Sequence, residues 1–274
     1  MKELKGKVAV ITGGGSGIGQ AVALELAGKG CNLALVDISE KGLKETARQA
    51  RKHKVRVSTH VADVTSKADM RALPDAVIAT HKTVHILFNN AGITIEKPFA
   101  EQSMKELEKI VGINLWGVIY GCKYFLPHLQ EASEAHIVNT SSMAGLLGLP
   151  TQSGYSATKA AVKALSESLY AELAPENIGV TCVMPGAIRT NIFSTAIEHS
   201  SDPEATRKLA DTVNRFAMAP EDAAVKIVRA IQRNDMHLTI GTDARFIDFL
   251  KRQYPEAIHR MIALGMKVRS RLAA

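Results

Sequence analysis

One join near the start restricts the fold of this chain more than any other feature. The apolar run Lys7 to Thr12 (Lys-Val-Ala-Val-Ile-Thr) passes directly into Gly13-Gly14-Gly15-Ser16-Gly17-Ile18-Gly19, and then into the helix-like stretch Ala21 to Lys29. An unbroken run with β-branched residues suits a strand covered on both faces, as in a parallel sheet. Strand, glycine turn and helix in that order leave unpaired N–H groups at a helix N-terminus, where a pyrophosphate is favoured. Glycine supplies the left-handed backbone such a turn needs and keeps a Cβ out of the way of a phosphate. The spacing is Gly13-x-x-x-Gly17-x-Gly19. It is not Gly-x-Gly-x-x-Gly in the usual register, because position 20 is Gln, nor a nucleoside-triphosphate loop, because no Gly-Lys-Ser/Thr follows. Gly13, Gly15, Ser16, Gly17, Ile18 and Gly19 are candidate cofactor contacts.

The alternation continues along the chain. Strands are expected at Cys31 to Val36, Val55 to Val61, His85 to Phe88, Ala135 to Thr140, Gly179 to Met184 and His237 to Ile240. Between them the pattern predicts helices over Glu40 to Lys52 with Ser39 as cap, Ser66 to His81 interrupted at Pro74, about Lys105 to Leu129, and Tyr155 to Glu172. Seven strands alternating with helices give a Rossmann-type α/β fold, a doubly wound parallel sheet that binds ligands at the strand C-termini. The rhythm breaks over about 190–216, where Ile192, Phe193 and Ile197 follow a ligand-side strand end, so a helical lid is expected there. At 274 residues the chain suits one domain. Residues 1–242 would form the dinucleotide-binding body, and 243–274 a C-terminal helical extension of it.

Asp37 stands at the end of the second strand, about twenty residues beyond the glycines. An acid there accepts hydrogen bonds from the ribose hydroxyls of an adenosine and repels a 2′-phosphate. Neither Ser16 nor Ile38 offers the positive charge a 2′-phosphate needs, so NAD is expected and NADP disfavoured.

Tyr155 and Lys159 are four apart, which on a helix places both on one face. A cation beside a phenol favours the phenolate and lowers its pKa from roughly 10 toward neutrality. Ser142, at the end of the fifth strand, can bring a hydroxyl to the same volume and polarise a carbonyl oxygen. Together these groups suit the interconversion of alcohol and carbonyl. Asn114 sits where a long helix is expected and where Asn is a poor residue, which suggests either a specific task or a satisfied buried amide.

No apolar run reaches transmembrane length, and the N-terminal Met-Lys-Glu-Leu-Lys lacks the apolar core of a signal peptide, so a cytoplasmic location is expected. Cys31, Cys122 and Cys182 are an odd count without Cys-x-x-Cys spacing, which reads as buried thiols and no metal site. The net charge is +7, and residues 245–274 hold seven Lys or Arg against two acids. The basic character therefore belongs largely to the tail and does not make the body a nucleic-acid binder.

In order and spacing, Thr12-Gly13-x-x-x-Gly17-x-Gly19, Asp63, Asn89-Asn90-Ala91-Gly92, Asn114, Ser142, Tyr155-x-x-x-Lys159 and Pro185-Gly186 resemble the short-chain dehydrogenase/reductase family over roughly residues 5–242. The resemblance implies a catalytic tetrad. Tyr155 would be the general acid in reduction and base in oxidation, Ser142 would hold the substrate oxygen, Lys159 would lower the Tyr155 pKa and bind the nicotinamide ribose, and Asn114 would position a relay water. It further implies that Asp63 and Val64 meet the adenine, that Asn90, Ala91 and Gly92 lie along the adenosine ribose, and that Pro185, Gly186, Ile188 and Thr190 hold the carboxamide. No metal is implied. Assembly as a homotetramer or dimer is, with the helices around Asn114 and Tyr155 forming one interface.

Substrate identity is less constrained. The loop 143–150 (Met-Ala-Gly-Leu-Leu-Gly-Leu-Pro) and the apolar lid residues favour an apolar secondary alcohol or ketone over a sugar or polyol. The tail carries Phe246, Phe249, Leu250, Ile258, Met261, Ile262 and Met266 at helical spacing among Lys251, Arg252, Arg260, Lys267, Arg269 and Arg271. Subunit packing, a wall of the substrate pocket and an amphipathic contact with an anionic membrane all remain open for it. Two alternative functions are an NADPH-dependent 3-oxoacyl thioester reductase and a non-catalytic NAD-binding regulator.

Overall fold

The computed structural model of the chain describes residues 1–190, 200 and 202–272. Its strands are β1 (Val8–Thr12), β2 (Asn32–Asp37), β3 (Val57–Val61), β4 (Ile86–Asn89), β5 (Ala135–Thr140), β6 (Ile178–Pro185) and β7 (His237–Ile240). They form one parallel sheet in the order β3-β2-β1-β4-β5-β6-β7. β1 therefore lies between β2 and β4, and successive connections leave this point in opposite directions, which opens a crevice beyond the C-terminal end of β1.

Side-chain alternation explains the two-sided core. Ala9, Ile11, Leu33, Leu35, Ile86 and Phe88 face one layer, whereas Val10, Ala34, Val36 and Leu87 face the other. The first layer is covered by α1 (Gly17–Gly28), α2 (Glu40–Ala50) and α8 (Pro220–Arg233). The second is covered by α3 (Lys67–His81), α5 (Gly117–Gln130) and α6 (Ser153–Leu173). Each fully buried Leu, Ile or Phe here stabilises the fold by roughly 1.5–3 kcal/mol, which is why the strands read as continuous apolar runs.

Helix starts follow the expected chemistry. The Ser39 hydroxyl accepts from Gly42 N and the Ser66 hydroxyl from Asp69 N. Ser103 and Glu106 form a reciprocal capping box at the start of α4 (Met104–Val111). Two expectations are corrected. α3 runs through Pro74 without interruption. The single helix expected over 105–129 is instead α4, a π-helical turn at Gly112–Trp116 and then α5. Asn114 lies inside that turn, where the wider i→i+5 pattern interrupts the ordinary ladder and re-aims the side chains.

Beyond β6, the lid residues Ile192, Phe193 and Ile197 lie outside the described residues. α7 (Pro203–Phe216) follows, and then α8. The C-terminal extension folds as α9 (Thr242–Gln253) and α10 (Ala257–Leu272). Phe246, Phe249, Met261, Leu264 and Val268 on these helices are exposed. Among the described residues no helix is long and apolar enough to cross a membrane.

Candidate functional site

The crevice at the end of β1 is a cavity of about 620 Å³. Its floor is built by the glycine turn. Gly14 N donates to Val36 O at 3.0 Å and Gly15 N to an Asp37 carboxylate oxygen at 2.9 Å, which folds the turn back on β2. Gly13 (φ 66°) and Gly17 (φ 53°) adopt the left-handed conformation that favours glycine. A Cβ on Gly13 would come within 2.9 Å of Asn90 Nδ2, and one on Gly19 would overlap the Gly13 carbonyl. The loops after β1 and β4 are tied together: Asn90 N and Ala91 N both donate to the Thr12 hydroxyl, at 3.0 and 3.2 Å, and Asn90 Nδ2 donates to Thr12 O at 3.2 Å.

Asp37 ends β2 with each oxygen accepting one backbone N–H, from Gly15 and from Ser39 at 2.9 Å. A carboxylate has roughly four acceptor positions, so capacity remains for a ligand. Asp63 holds Thr65 through its amide and hydroxyl, both at 2.8 Å.

Across the crevice, β5 and α6 supply the reactive side chains. Tyr155, Ser142 and Lys159 are buried, at 8%, 8% and 3% exposure, yet all three line the cavity. Lys159 Nζ donates to Thr140 O at 2.8 Å and lies 5.7 Å from the centre of the Tyr155 ring. Ser141 is turned away from this pair, its hydroxyl donating to Lys159 O at 2.7 Å. Ser142 Oγ accepts from Ala144 N at 3.1 Å and hydrogen-bonds the Tyr155 side chain.

The electrostatics correct one expectation. Burial raises the Tyr155 pKa above its ordinary value, and the Ser142 hydrogen bond only partly offsets it. Burial likewise pushes the Lys159 ammonium down to about 8. Lys159 donates to the Thr140 carbonyl and lies 5.7 Å from the centre of the Tyr155 ring, and desolvation of the phenolate prevails.

Of the expected cofactor contacts, Gly13, Ser16, Gly17, Ile18, Asp37, Ile38, Asp63, Val64, Asn90, Ala91, Gly92, Pro185, Gly186, Ile188 and Thr190 line this one cavity. Gly15 and Gly19 do not, and neither does Asn114, which is expected in the catalytic tetrad as the residue positioning a relay water. The two glycines act through close packing of the turn. Asn114 is fully buried behind it, with Oδ1 accepting from Ile93 N and Nδ2 donating to Ile93 O, both at 2.9 Å. Nδ2 also donates to the Thr158 hydroxyl at 3.3 Å, which joins the π-helical turn to α6. Met143, Ala144 and Leu149 of the apolar loop reach the cavity, and Val213 reaches it from α7.

Thr94, Glu96, Gln152 and Asp243 also line the cavity and are not singled out by the sequence. A position just beyond the C-terminal end of a parallel strand is the signal that could have drawn attention to Asp243, which follows β7. The cysteine expectation agrees with the structure: all three thiols are buried, and burial raises their pKa values to about 12, 12 and 11 for Cys31, Cys122 and Cys182.

A parallel sheet with a glycine turn at its switch point and a buried Tyr-Lys pair across the crevice defines an α/β protein of the nucleotide-binding class. Residues 7–201 match the family model described as short chain dehydrogenase. A Mycobacterium tuberculosis protein named as an oxidoreductase, SadH, is 38% identical over 270 residues, covering 97% of each chain. Levodione reductase from Leifsonia aquatica is 38% identical over 233 residues, covering 80% of this chain and 85% of the relative. The crystal structure of a short chain dehydrogenase/reductase from Burkholderia phymatum in complex with NAD superposes with a TM-score of 0.86 at 32% identity, covering 94% of this chain and 96% of that one. The chain belongs to the short chain dehydrogenase family.

Proposed function

We propose that the protein is an NAD-dependent oxidoreductase that interconverts a secondary alcohol and a ketone, with an apolar substrate. The observation that carries the reading is the meeting of Tyr155, Ser142 and Lys159 in one cavity with the glycine turn and Asp37. That cavity suits a dinucleotide. The first amides of α1 lie beside a turn kept free of Cβ atoms, and Asp37 retains acceptor capacity at the end of β2.

Ser16, Gly17 and Ile18 would hold the pyrophosphate, Asp37 the adenosine ribose, and Asp63 with Val64 the adenine. Ile188 and Thr190 would hold the carboxamide. The preference for NAD over NADP rests on the carboxylate of Asp37 and the lack of a basic side chain at Ser16 or Ile38. NAD, which the similar Burkholderia structure holds, would supply or accept the hydride when bound here.

Tyr155 gives a proton to the substrate oxygen in reduction and takes it back in oxidation. Because burial holds its phenol protonated at neutral pH, it stands ready as the donor. Ser142 donates to the same oxygen as charge develops on it. Lys159, with a pKa of about 8, is still mostly a cation at pH 7, and its charge favours the phenolate left after transfer. Asn114 acts from behind by holding Ile93 and Thr158, and so fixes the wall beside Lys159.

Ile93, Met143, Ala144 and Leu149 give the substrate end an apolar lining, to which Thr94, Glu96 and Gln152 add polar positions. The named activity of levodione reductase, a carbonyl reduction, is compatible with this chemistry. The reading extends to self-association through α5 and α6. Trp116 of the π-helical turn stacks on Tyr120 of α5, and Tyr120 on Tyr124, with ring centroids 5.6 and 5.9 Å apart, and Ala157, Ala160 and Ala164 form an exposed small-residue stripe on α6. Light scattering that gives a dimeric or tetrameric mass supports this, and a monomer at micromolar concentration refutes it.

The test of function is initial-rate spectrophotometry at about 340 nm, the absorbance of reduced nicotinamide. The panel holds apolar secondary alcohols, hydroxysteroids, hydroxyacyl thioesters and polyols, each with NAD and with NADP. Turnover of apolar alcohols with NAD is expected. A preference for NADP with thioesters would replace the reading by an oxoacyl reductase, and cofactor binding without turnover would favour a regulator.

A further inference from the structure

Among the described residues, Asp243 is the only member of the C-terminal extension that lines the catalytic cavity. It lies in the first turn of α9, just after Gly241, whose φ of 102° is reserved for glycine. Its carboxylate accepts from Ala187 N at 2.8 Å. Two glycines make room for it, since a Cβ on Gly186 or on Gly241 would overlap the carboxylate.

The segment it grips is fixed by backbone on its other sides. Gly186 N donates to Ile240 O at 2.8 Å, Met218 N to Ala187 O at 3.0 Å, and Arg189 N to Met218 O at 2.9 Å. Asp243 adds a side-chain acceptor, and being charged it holds its amide more firmly than a neutral acceptor would. α9 also packs on the short turn Met143–Gly145 that follows Ser142. One helix thus braces both the loop after β6 and the loop after β5.

We infer that Asp243 is a positioning residue for the nicotinamide half of the cofactor: it sets the Gly186–Ala187 peptide so that Ile188 and Thr190 meet the carboxamide. The inference rests on the NAD reading above. It makes the C-terminal extension a working part of the site and assigns it no part in holding the adenylate half.

Calorimetric titration of the full-length protein with NAD and with ADP-ribose, which lacks the nicotinamide, separates these halves. D243A is expected to weaken NAD about tenfold, the loss of one charge-assisted hydrogen bond, and to leave ADP-ribose within about twofold. D243N keeps a carbonyl acceptor for Ala187 N and should recover NAD affinity to within about fivefold of wild type. In the cofactor-free protein the Ala187 amide should exchange faster in D243A than in D243N. Should D243A not fold, D243S, whose shorter side chain no longer offers a carboxylate to Ala187 N, takes its place: a loss confined to NAD supports the role, and unchanged affinities overturn it. An equal loss of both ligands in D243A, or no rescue by D243N, also overturns it. A wild-type protein that binds neither ligand refutes the NAD reading itself, and the inference with it.

Discussion

Lys159 is where the site should cost the fold most, and Lys159→Met measures that cost. The side chain is 3% exposed, and burial brings its pKa from 10.5 to about 8. A depression of that size corresponds to about 3 kcal/mol of stability withheld while the group is charged. The sign follows from proton counting. Below about pH 8 the folded and unfolded chains both carry the proton, and the full cost is present. Between about 8 and 10.5 the unfolded chain binds more protons than the folded one, so stability contributed by this group rises with pH. Above 10.5 the cost is gone. The methionine side chain cannot titrate, so the unfolding free energy of wild type minus that of the variant should climb by about 1.4 kcal/mol from pH 7 to pH 9, and by about 2.5 kcal/mol by pH 10.

Paired urea titrations at several pH values read this difference directly, and equal m-values show that the same unfolding is compared. The lost hydrogen bond to Thr140 O and any repacking shift the two curves by a constant and leave the slope untouched. A difference that is flat between pH 7 and 10, or that falls, would refute the claim that the fold holds a desolvated cation at this position. The same variant should lose turnover. Stability and activity would then move apart at alkaline pH, as expected where a fold keeps an unfavourable charge for chemistry.

Tyr155→Phe should lower turnover by a factor of roughly 10² to 10⁴ while NADH affinity, read by fluorescence titration, stays within a few-fold; near-normal turnover would remove Tyr155 as proton donor. With the Tyr155 pKa raised, kcat/KM for alcohol oxidation should rise with pH through the alkaline range while that for ketone reduction stays level until the phenol titrates and falls only then; a reduction profile that rises with the oxidation profile would contradict the assignment. Asp37→Ala should cut the preference for NAD over NADP by about tenfold, and an unchanged ratio of kcat/KM values would show that this carboxylate does not read the ribose. Asn114→Leu leaves Ile93 N and O without their side-chain partners, so denaturant titration should show a loss of about 2–4 kcal/mol; a loss under about 0.5 kcal/mol would mean that the π-helical turn re-forms these bonds in another way.

What can be read from sequence follows the range of the interactions involved. Strands and the glycine turn are local, because a buried parallel strand must be apolar throughout and a tight turn beside a helix start must use glycine. The order β3-β2-β1-β4-β5-β6-β7 agrees with the alternation for the same reason. Helical spacing alone pairs Tyr155 with Lys159, whereas only the family resemblance singles out Ser142, and that the neighbouring Ser141 hydroxyl donates to Lys159 O is visible in the fold alone. Contacts between distant segments leave no local trace. Asn114 is recognisable as unusual in a helix, but that it clamps Ile93 within a π-helical turn depends on where two loops meet. The balance of effects on Tyr155 escapes the sequence similarly, since spacing reveals a neighbouring cation but not the depth at which both groups lie.

The tail sharpens that distinction. Its helical periodicity is sufficient to place α9 and α10, yet a period names a face and not the surface it meets. Ile262 and Met266 of α10 border a groove of about 630 Å³ with Leu146, Leu149 and Pro150, and Ile262 is half-buried there; Met266 is exposed at the rim, and Met261, Leu264 and Val268 elsewhere on the helix are exposed as well. A helix with apolar residues on opposite sides has more than one surface to cover, and a single amphipathic stripe cannot describe it. The segment that binds α9 to the site is polar: Asp243 is held by one hydrogen bond and by two glycines that leave it room. In this extension the apolar pattern therefore accounts for where the helices form, and a short polar turn accounts for how the first of them reaches the chemistry.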